Sequence, residues 1–131
     1  REKMMKKIMI ILAALAVSAT TAMAADRAEG LWMSAPNDKG AYIHVEISPC
    51  GDRLCGVIVD VINSDNRSSV GKDIILDMKI GSNGKYSGGT IWAPDTDKTY
   101  KSRMAFKGET LIVKGCIGGF ICRGQNWTRV N

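Results

Sequence analysis

The chain has 131 residues, 45% of them hydrophobic and 24% charged, which is enough for one ordinary globular domain, hardly enough for two, and too apolar for disorder. Its formal charge is +5, but Arg1, Lys3, Lys6 and Lys7 cluster ahead of the first apolar run with only Glu2 against them, so residues 25–131 hold 14 basic and 12 acidic side chains, a net +2. The pI near 9.1 therefore describes the leading segment more than the domain, and net charge gives no argument for a nucleic-acid partner.

Behind the basic cluster, residues 8–17 are uninterruptedly apolar, and Ala22-Met23-Ala24 follows a short polar stretch. A charged n-region, a short h-region and an A-x-A site in that order predict a secretory signal peptide over residues 1–24, cleaved after Ala24. The apolar run is about half of the ~20 residues a spanning helix needs, and no cysteine near the cleavage point offers a lipid tether. The expected product is a single domain, residues 25–131, periplasmic or secreted and without stable membrane insertion. Translation is expected to start at Met4 or Met5, with residues 1–3 an upstream extension.

Within residues 25–131 no stretch keeps helical periodicity for three turns, while alternation and turn residues recur every eight to twelve positions, the cadence of an all-β sandwich or barrel. The predicted strands are 30–34, 41–48, 54–62, 73–80, 85–93, 99–107, 110–116 and 124–130. The segments between them carry the Gly, Asn, Asp or Pro that a chain reversal requires; the polar run 63–69 is expected to be a mobile rim loop. Short connections make consecutive strands antiparallel neighbours. Closing a meander of about eight strands into a small barrel removes both exposed edges.

The four cysteines, Cys50, Cys55, Cys116 and Cys122, all lie in the exported part. In an oxidising compartment an even count reads as disulfides. Of the three pairings, the short spacings favour Cys50–Cys55 and Cys116–Cys122, each pinning a hairpin end. A zinc site built from the same thiolates has acceptable ligand chemistry, but export favours oxidation, and neither a metal nor a cofactor is expected.

Two segments reveal the inward face. Tyr100, Ser102, Met104 and Phe106 alternate with Lys101, Arg103, Ala105 and Lys107, so the cations face water. A lipid-facing strand could not carry them, at about 2 to 4 kcal/mol each at mid-depth. Ile43, Val45 and Ile47 form the other core face, which turns Tyr42, His44 and Glu46 outward. In the last strand Gln125, Trp127 and Arg129 share a face, so a buried Trp127 brings a guanidinium with it, and that group needs partners. One arrangement lays Arg129 over Trp32 to close the barrel base. The other lines a pocket with Trp92, Tyr100, Trp127 and Arg129 for a small apolar molecule with an anionic end.

Catalytic schemes are few. A nucleophilic device would need His44, the single histidine, buried beside a nucleophile and an orienting acid, whereas alternation sends it to solvent. Asp95 and Asp97 flank Thr96 after Pro94; acid–base work would require one of them in an apolar pocket, but the composition is that of a turn. No phosphate loop, dinucleotide fingerprint or zinc-protease motif occurs. The expectation is a non-catalytic binder that holds a small hydrophobic or amphipathic ligand among Trp92, Tyr100, Met104, Phe106, Trp127 and Arg129. The alternative is an interaction module of the envelope with a filled barrel, whose protein partner the sequence does not name.

Gly30-Leu31-Trp32, Pro49-Cys50-Gly51 with Leu54-Cys55-Gly56, Ser87-Gly88-Gly89 with Pro94 and Tyr100, and Gln125-Asn126-Trp127-Thr128-Arg129 together resemble the exported bacterial domain-of-unknown-function family 2147. The resemblance implies a periplasmic or secreted, lipocalin-like barrel and adds no catalytic residue. Gly30 and Trp32 near the start, with Arg129 near the end, are likewise similar to the structural closure signature of lipocalins. The sequence departs from the family pattern after Pro94, where Asp95-Thr96-Asp97-Lys98 stands in place of a common Gly. Its short 63–72 loop also argues against a large lid.

Overall fold

The computed structural model describes residues 24–130; the expected signal peptide, apart from Ala24, lies outside the described residues. Eight strands follow in chain order: β1 (Gly30–Met33), β2 (Tyr42–Cys50), β3 (Arg53–Ile62), β4 (Asp73–Ile80), β5 (Lys85–Ala93), β6 (Lys98–Lys107), β7 (Thr110–Ile117) and β8 (Ile121–Arg129). Each pairs with the next in antiparallel sense, and β8 returns to β1, so the sheet closes. With both edges paired inside residues 24–130, the barrel is a self-contained unit. Among the described residues no helix is long and apolar enough to cross a membrane.

The strands follow the alternation of the sequence, with the largest boundary shifts at the cysteines. β2 runs on to Cys50, which pairs with Arg53, and β8 begins at Ile121, which pairs with Ile117. Pairing continues through each cystine because the bridge holds the strand ends together: Cys50 is joined to Cys55 and Cys116 to Cys122. The two bridges sit at opposite ends of the barrel. The four sulfurs therefore never converge, and their disulfide state removes the thiolates a zinc site would use. Asp77 lies beside the Cys50–Cys55 sulfurs, where bridged sulfur cannot act as a thiolate ligand.

The interior is a close-packed column. Trp32, Val45, Ile58, Ile75, Met78 and Leu111 are fully buried, with Trp127 and Met104 almost so. Two glycines let this column fill a narrow barrel. A Cβ on Gly56 would lie 3.0 Å from Val45 and 3.3 Å from Ile75, and one on Gly89 would lie 2.6 Å from the Leu76 carbonyl oxygen. β4 and β5 thus approach until side chain is excluded between them. On its other side β5 carries a bulge against β6, one extra residue between Tyr86 and Gly89, and Gly88 within it has a φ of 76°.

The loop after β3 is exposed, as expected of a rim loop, and carries its own hydrogen bonds. Arg67 donates to Asp60 at 2.8 Å and to the Val61 carbonyl at 3.0 Å, while Gly71 N–H donates to Ile58 and Ile58 N–H to Lys72. A single guanidinium that satisfies a carboxylate and a backbone oxygen six and seven residues away ties the loop to its own strand, a contact that polar composition does not reveal.

Two outcomes test this packing. The unreduced chain should give no titratable thiol, and peptide mapping should recover Cys50 with Cys55. Gly89→Ala should lower stability in a urea melt by about 2 to 3 kcal/mol, since backbone rather than a flexible side chain opposes the added methyl; an unchanged midpoint would contradict the close approach of β4 and β5.

Candidate functional site

The two ends of the barrel are built differently. At one end the turns after β2, β4 and β6 meet the start of β1 and the end of β8, and residues 26–29 cross the opening as a plug. A tight turn forms it: Asp26 N–H donates to Glu29 Oε2 and Ala28 N–H to Asp26 Oδ2, both at 2.9 Å. Ala28 is fully buried, and its carbonyl accepts the Trp32 indole N–H at 2.8 Å. Arg129 lies over the Trp32 ring at 4.3 Å and donates to the carbonyls of Glu29 and Arg27 at 2.9 and 2.7 Å. Arg27 in turn covers Phe106 at 3.9 Å and donates to the Gly108 carbonyl. The Trp32 and Phe106 rings are 5.8 Å apart and tilted, so the base is a pair of rings covered by a cation on each. It is a closure built from the protein's own side chains and plug.

Gly30, Trp32 and Arg129 meet here because the register pairs Trp32 with Arg129. Gly30 has a φ of 126°, and a Cβ there would lie 2.7 Å from the guanidinium, so the first glycine of the seam makes room for its arginine. Arg129 itself is exposed. The inward face of β8 runs out at the barrel rim, and the cation keeps water while covering a ring, so the expected burial of this group does not arise.

The six residues expected to share a ligand pocket do not share one space. Phe106 and Arg129 belong to the base. Met104 and Trp127 are core, and the Trp127 N–H is satisfied by Gln125 Oε1 at 2.8 Å. Tyr100 is half-buried at the opposite end, with Ile91 and Gly115. Trp92 is out of phase with that pair: Ile91 faces Tyr100 in the ladder while Trp92 faces Thr99, and its N–H donates to Asp97 at 2.8 Å. The pocket of Trp92, Tyr100, Trp127 and Arg129 is therefore replaced by the Arg129–Trp32 closure.

The other end is open. Here Ile43, Ile91 and Tyr100 on inward faces are only half-buried, and Gln125 and Arg123 are exposed. Arg123 pairs with Gly115, whose missing side chain leaves Ile91 and Tyr100 as the nearest atoms, at 3.2 and 3.6 Å from a Cβ there. These residues make a half-exposed apolar rim, the cup, with a cation and an amide on its β8 wall. Alternation identifies Tyr100 as a lining residue; Ile91, Gly115 and Arg123 emerge only once the Gly88 bulge and the β7–β8 register are known.

The remaining candidates occupy structural positions. Asp97 adopts a φ of 54° and its N–H donates to Ala93, so the Asp95–Asp97 pair makes a turn. His44 lies 5.8 Å from the Tyr42 ring and faces Asp60 in the ladder. It is half-buried rather than fully solvent-facing because these neighbours cover it on the outer side. The Arg67 guanidinium, followed by the Val61 N–H, holds the Asp60 carboxyl below its ordinary range.

Tyr86 shows the opposite shift. Burial, and then the hydrogen bond its hydroxyl donates to Asp26 at 2.7 Å, raise the phenol well above its ordinary value of 10. The folded protein thus holds this proton more tightly than the unfolded chain does. Its stabilising effect is complete below pH 10 and is lost as pH rises beyond it toward the folded value. Tyr86→Phe should cost about 1 kcal/mol at neutral pH and should flatten the alkaline fall in denaturant midpoint; an equal fall in both proteins would exclude Tyr86 as its source.

Comparison with known proteins agrees with this architecture. The sequence profile of a family described as "Uncharacterized protein conserved in bacteria (DUF2147)" matches residues 30–129. No curated protein matches the chain. Among solved structures, the barrel is similar to that of protein HP1028 from the human pathogen Helicobacter pylori, described as belonging to the lipocalin family. The TM-score is 0.65 at 15% identity, over 79% of this chain and 82% of that chain. At that identity the likeness is one of fold: this is a lipocalin-like barrel.

Proposed function

The chain belongs to the bacterial DUF2147 family, and from that membership and its lipocalin-like barrel we propose that it is an exported, non-catalytic binder of a small amphipathic molecule. The observation that carries this reading is the half-buried apolar wall of Ile43, Ile91 and Tyr100 at the open end, with Arg123 and Gln125 beside it. Apolar side chains on inward strand faces normally reach full burial, and these stop short while the opposite end is sealed. An apolar body against Ile91 and Tyr100, with an anionic or hydrogen-bonding head toward Arg123, uses each of these groups. The ligand would sit at the rim of the barrel, because the interior below is filled. The export half of the proposal rests on the signal-peptide pattern of residues 1–24.

A second reading has its own support. The contacts a side chain would make at Gly56 and Gly115 indicate a barrel packed with its own residues, as expected of an envelope interaction module that meets partners through its outer surface.

Native mass spectrometry of the purified protein and tryptophan quenching with fatty acids and small aromatic acids test the first reading. Binding should weaken about tenfold for anionic ligands in Arg123→Ala, or ~1.4 kcal/mol, with little change for neutral ones, and Gly115→Val should abolish both by filling the cup. No retained or quenching ligand across a broad panel would leave the interaction module as the function.

A further inference from the structure

The β7–β8 turn presents a combination that the barrel does not need. Ile117, Phe120 and Ile121 are 61%, 93% and 68% exposed, and they are carried on a five-residue turn closed by the Cys116–Cys122 bridge. Gly118 and Gly119 have φ values of 62° and 79°, which only glycine adopts without strain. The Gly119 carbonyl accepts a hydrogen bond from Arg103 of β6 at 3.1 Å. Three large apolar side chains are thus held in water on a pinned support, and the ordering cost of displaying them is met in the fold itself.

The sheet beside this tip is cationic. Lys101, Arg103 and Lys114 share the outer face of β6 and β7, and Arg103 stands directly opposite Lys114 in the ladder. Like charges in that position destabilise a sheet. Among the described residues no carboxylate forms a salt bridge with them or with neighbouring Lys85; the ion pairs use Arg27, Arg53 and Arg67 instead. Two depressions scallop this surface and share Arg103. One, of about 450 Å³, is lined by Lys85, Arg103, Lys114 and Ser87. The other, of about 260 Å³, is lined by Lys101, Arg103, Thr90 and Gly119, and so joins the cationic face to the apolar tip.

We propose that this tip and the outer face of β5 to β7 form a docking surface for an anionic lipid bilayer. Phe120, Ile117 and Ile121 enter the boundary between headgroups and acyl chains while Lys101, Arg103 and Lys114 meet lipid phosphates. An apolar wedge with a cationic collar is the general chemistry of peripheral membrane binding. A polyanion such as a nucleic acid would use the cations and leave Phe120 in water. A second copy of the chain would bring the same cations against each other. Docking is peripheral: the cations keep the barrel itself at the surface rather than within the hydrocarbon. It uses none of the residues that line the open cup.

Sedimentation of residues 25–131, the self-contained barrel, with vesicles of phosphatidylglycerol and phosphatidylcholine tests the proposal. The protein should sediment with mixed vesicles, stay in solution with pure phosphatidylcholine, and be released at 0.5 M salt, a concentration at which surface charge is heavily screened. Phe120→Ser should weaken binding about tenfold, and Lys101→Gln with Lys114→Gln about fivefold for each charge removed, with unchanged circular dichroism. Arg123→Ala should leave at least the Phe120-dependent part of vesicle binding intact, which separates docking from occupancy of the cup. Absence of binding to anionic vesicles, equal binding by wild type and Phe120→Ser, binding to heparin or duplex DNA alone, or loss of self-association as the main effect of Phe120→Ser would each overturn the proposal.

Discussion

β1 is four residues long and meets β8 through only two paired positions, Trp32 with Arg129 and Met33 with Thr128. Everything else in the barrel depends on that seam, because an open eight-stranded meander would expose two edges and the whole inward face. Backbone pairing of this length is weak by itself. What holds the seam is a single side chain: Arg129 spreads its guanidinium over the Trp32 indole and donates to two carbonyls of the plug. The plug carbonyls would otherwise have no partner at a strand end, and the guanidinium would otherwise have no reason to lie flat. A planar, forked cation can do both at once; an ammonium could not.

From this seam the asymmetry of the molecule follows. The sealed end gathers the plug, the end of β8 and the Arg27–Phe106 contact into one continuous closure, with Tyr86 anchored to Asp26 behind it. The other end receives no such cover, so its inward residues remain partly wet and its hairpin tip projects. A small domain buries a modest fraction of its surface, about 65% at this length. Among the described residues the three most exposed large apolar side chains, Phe120, Ile121 and Ile117, gather at that hairpin tip.

Much of the architecture was legible in the sequence. Turn residues every eight to twelve positions marked the eight strands, the alternation in residues 100–107 marked which side faces water, and the short cysteine spacings marked the two bridges. The site was less legible, and the reasons are local. The bulge between Tyr86 and Gly89 shifts the inward phase of β5, so that Ile91 rather than Trp92 falls on the inner face with Tyr86 and Tyr100, and a bulge adds a residue without changing the composition of a strand. The expected pocket drew on aromatic residues spread along the whole barrel axis, and composition does not say at which height a residue sits. Arg123, which ends in the wall of the cup, reads as an ordinary charged residue until the β7–β8 register sets it opposite Gly115.

The sequence by itself determined the all-β class, the order and approximate limits of the strands, the inward faces and the pairing of cysteines that lie close along the chain, because each of these depends on neighbours within a strand or a hairpin. Tertiary structure decided what depends on residues far apart. It settled that Arg129 closes the base over Trp32 instead of lining a pocket, and that the cations of β6 and β7 lie beside an apolar tip. These are matters of register and of height along the barrel, which only closure of the sheet fixes, since until the last strand meets the first no residue has a defined position relative to the two ends.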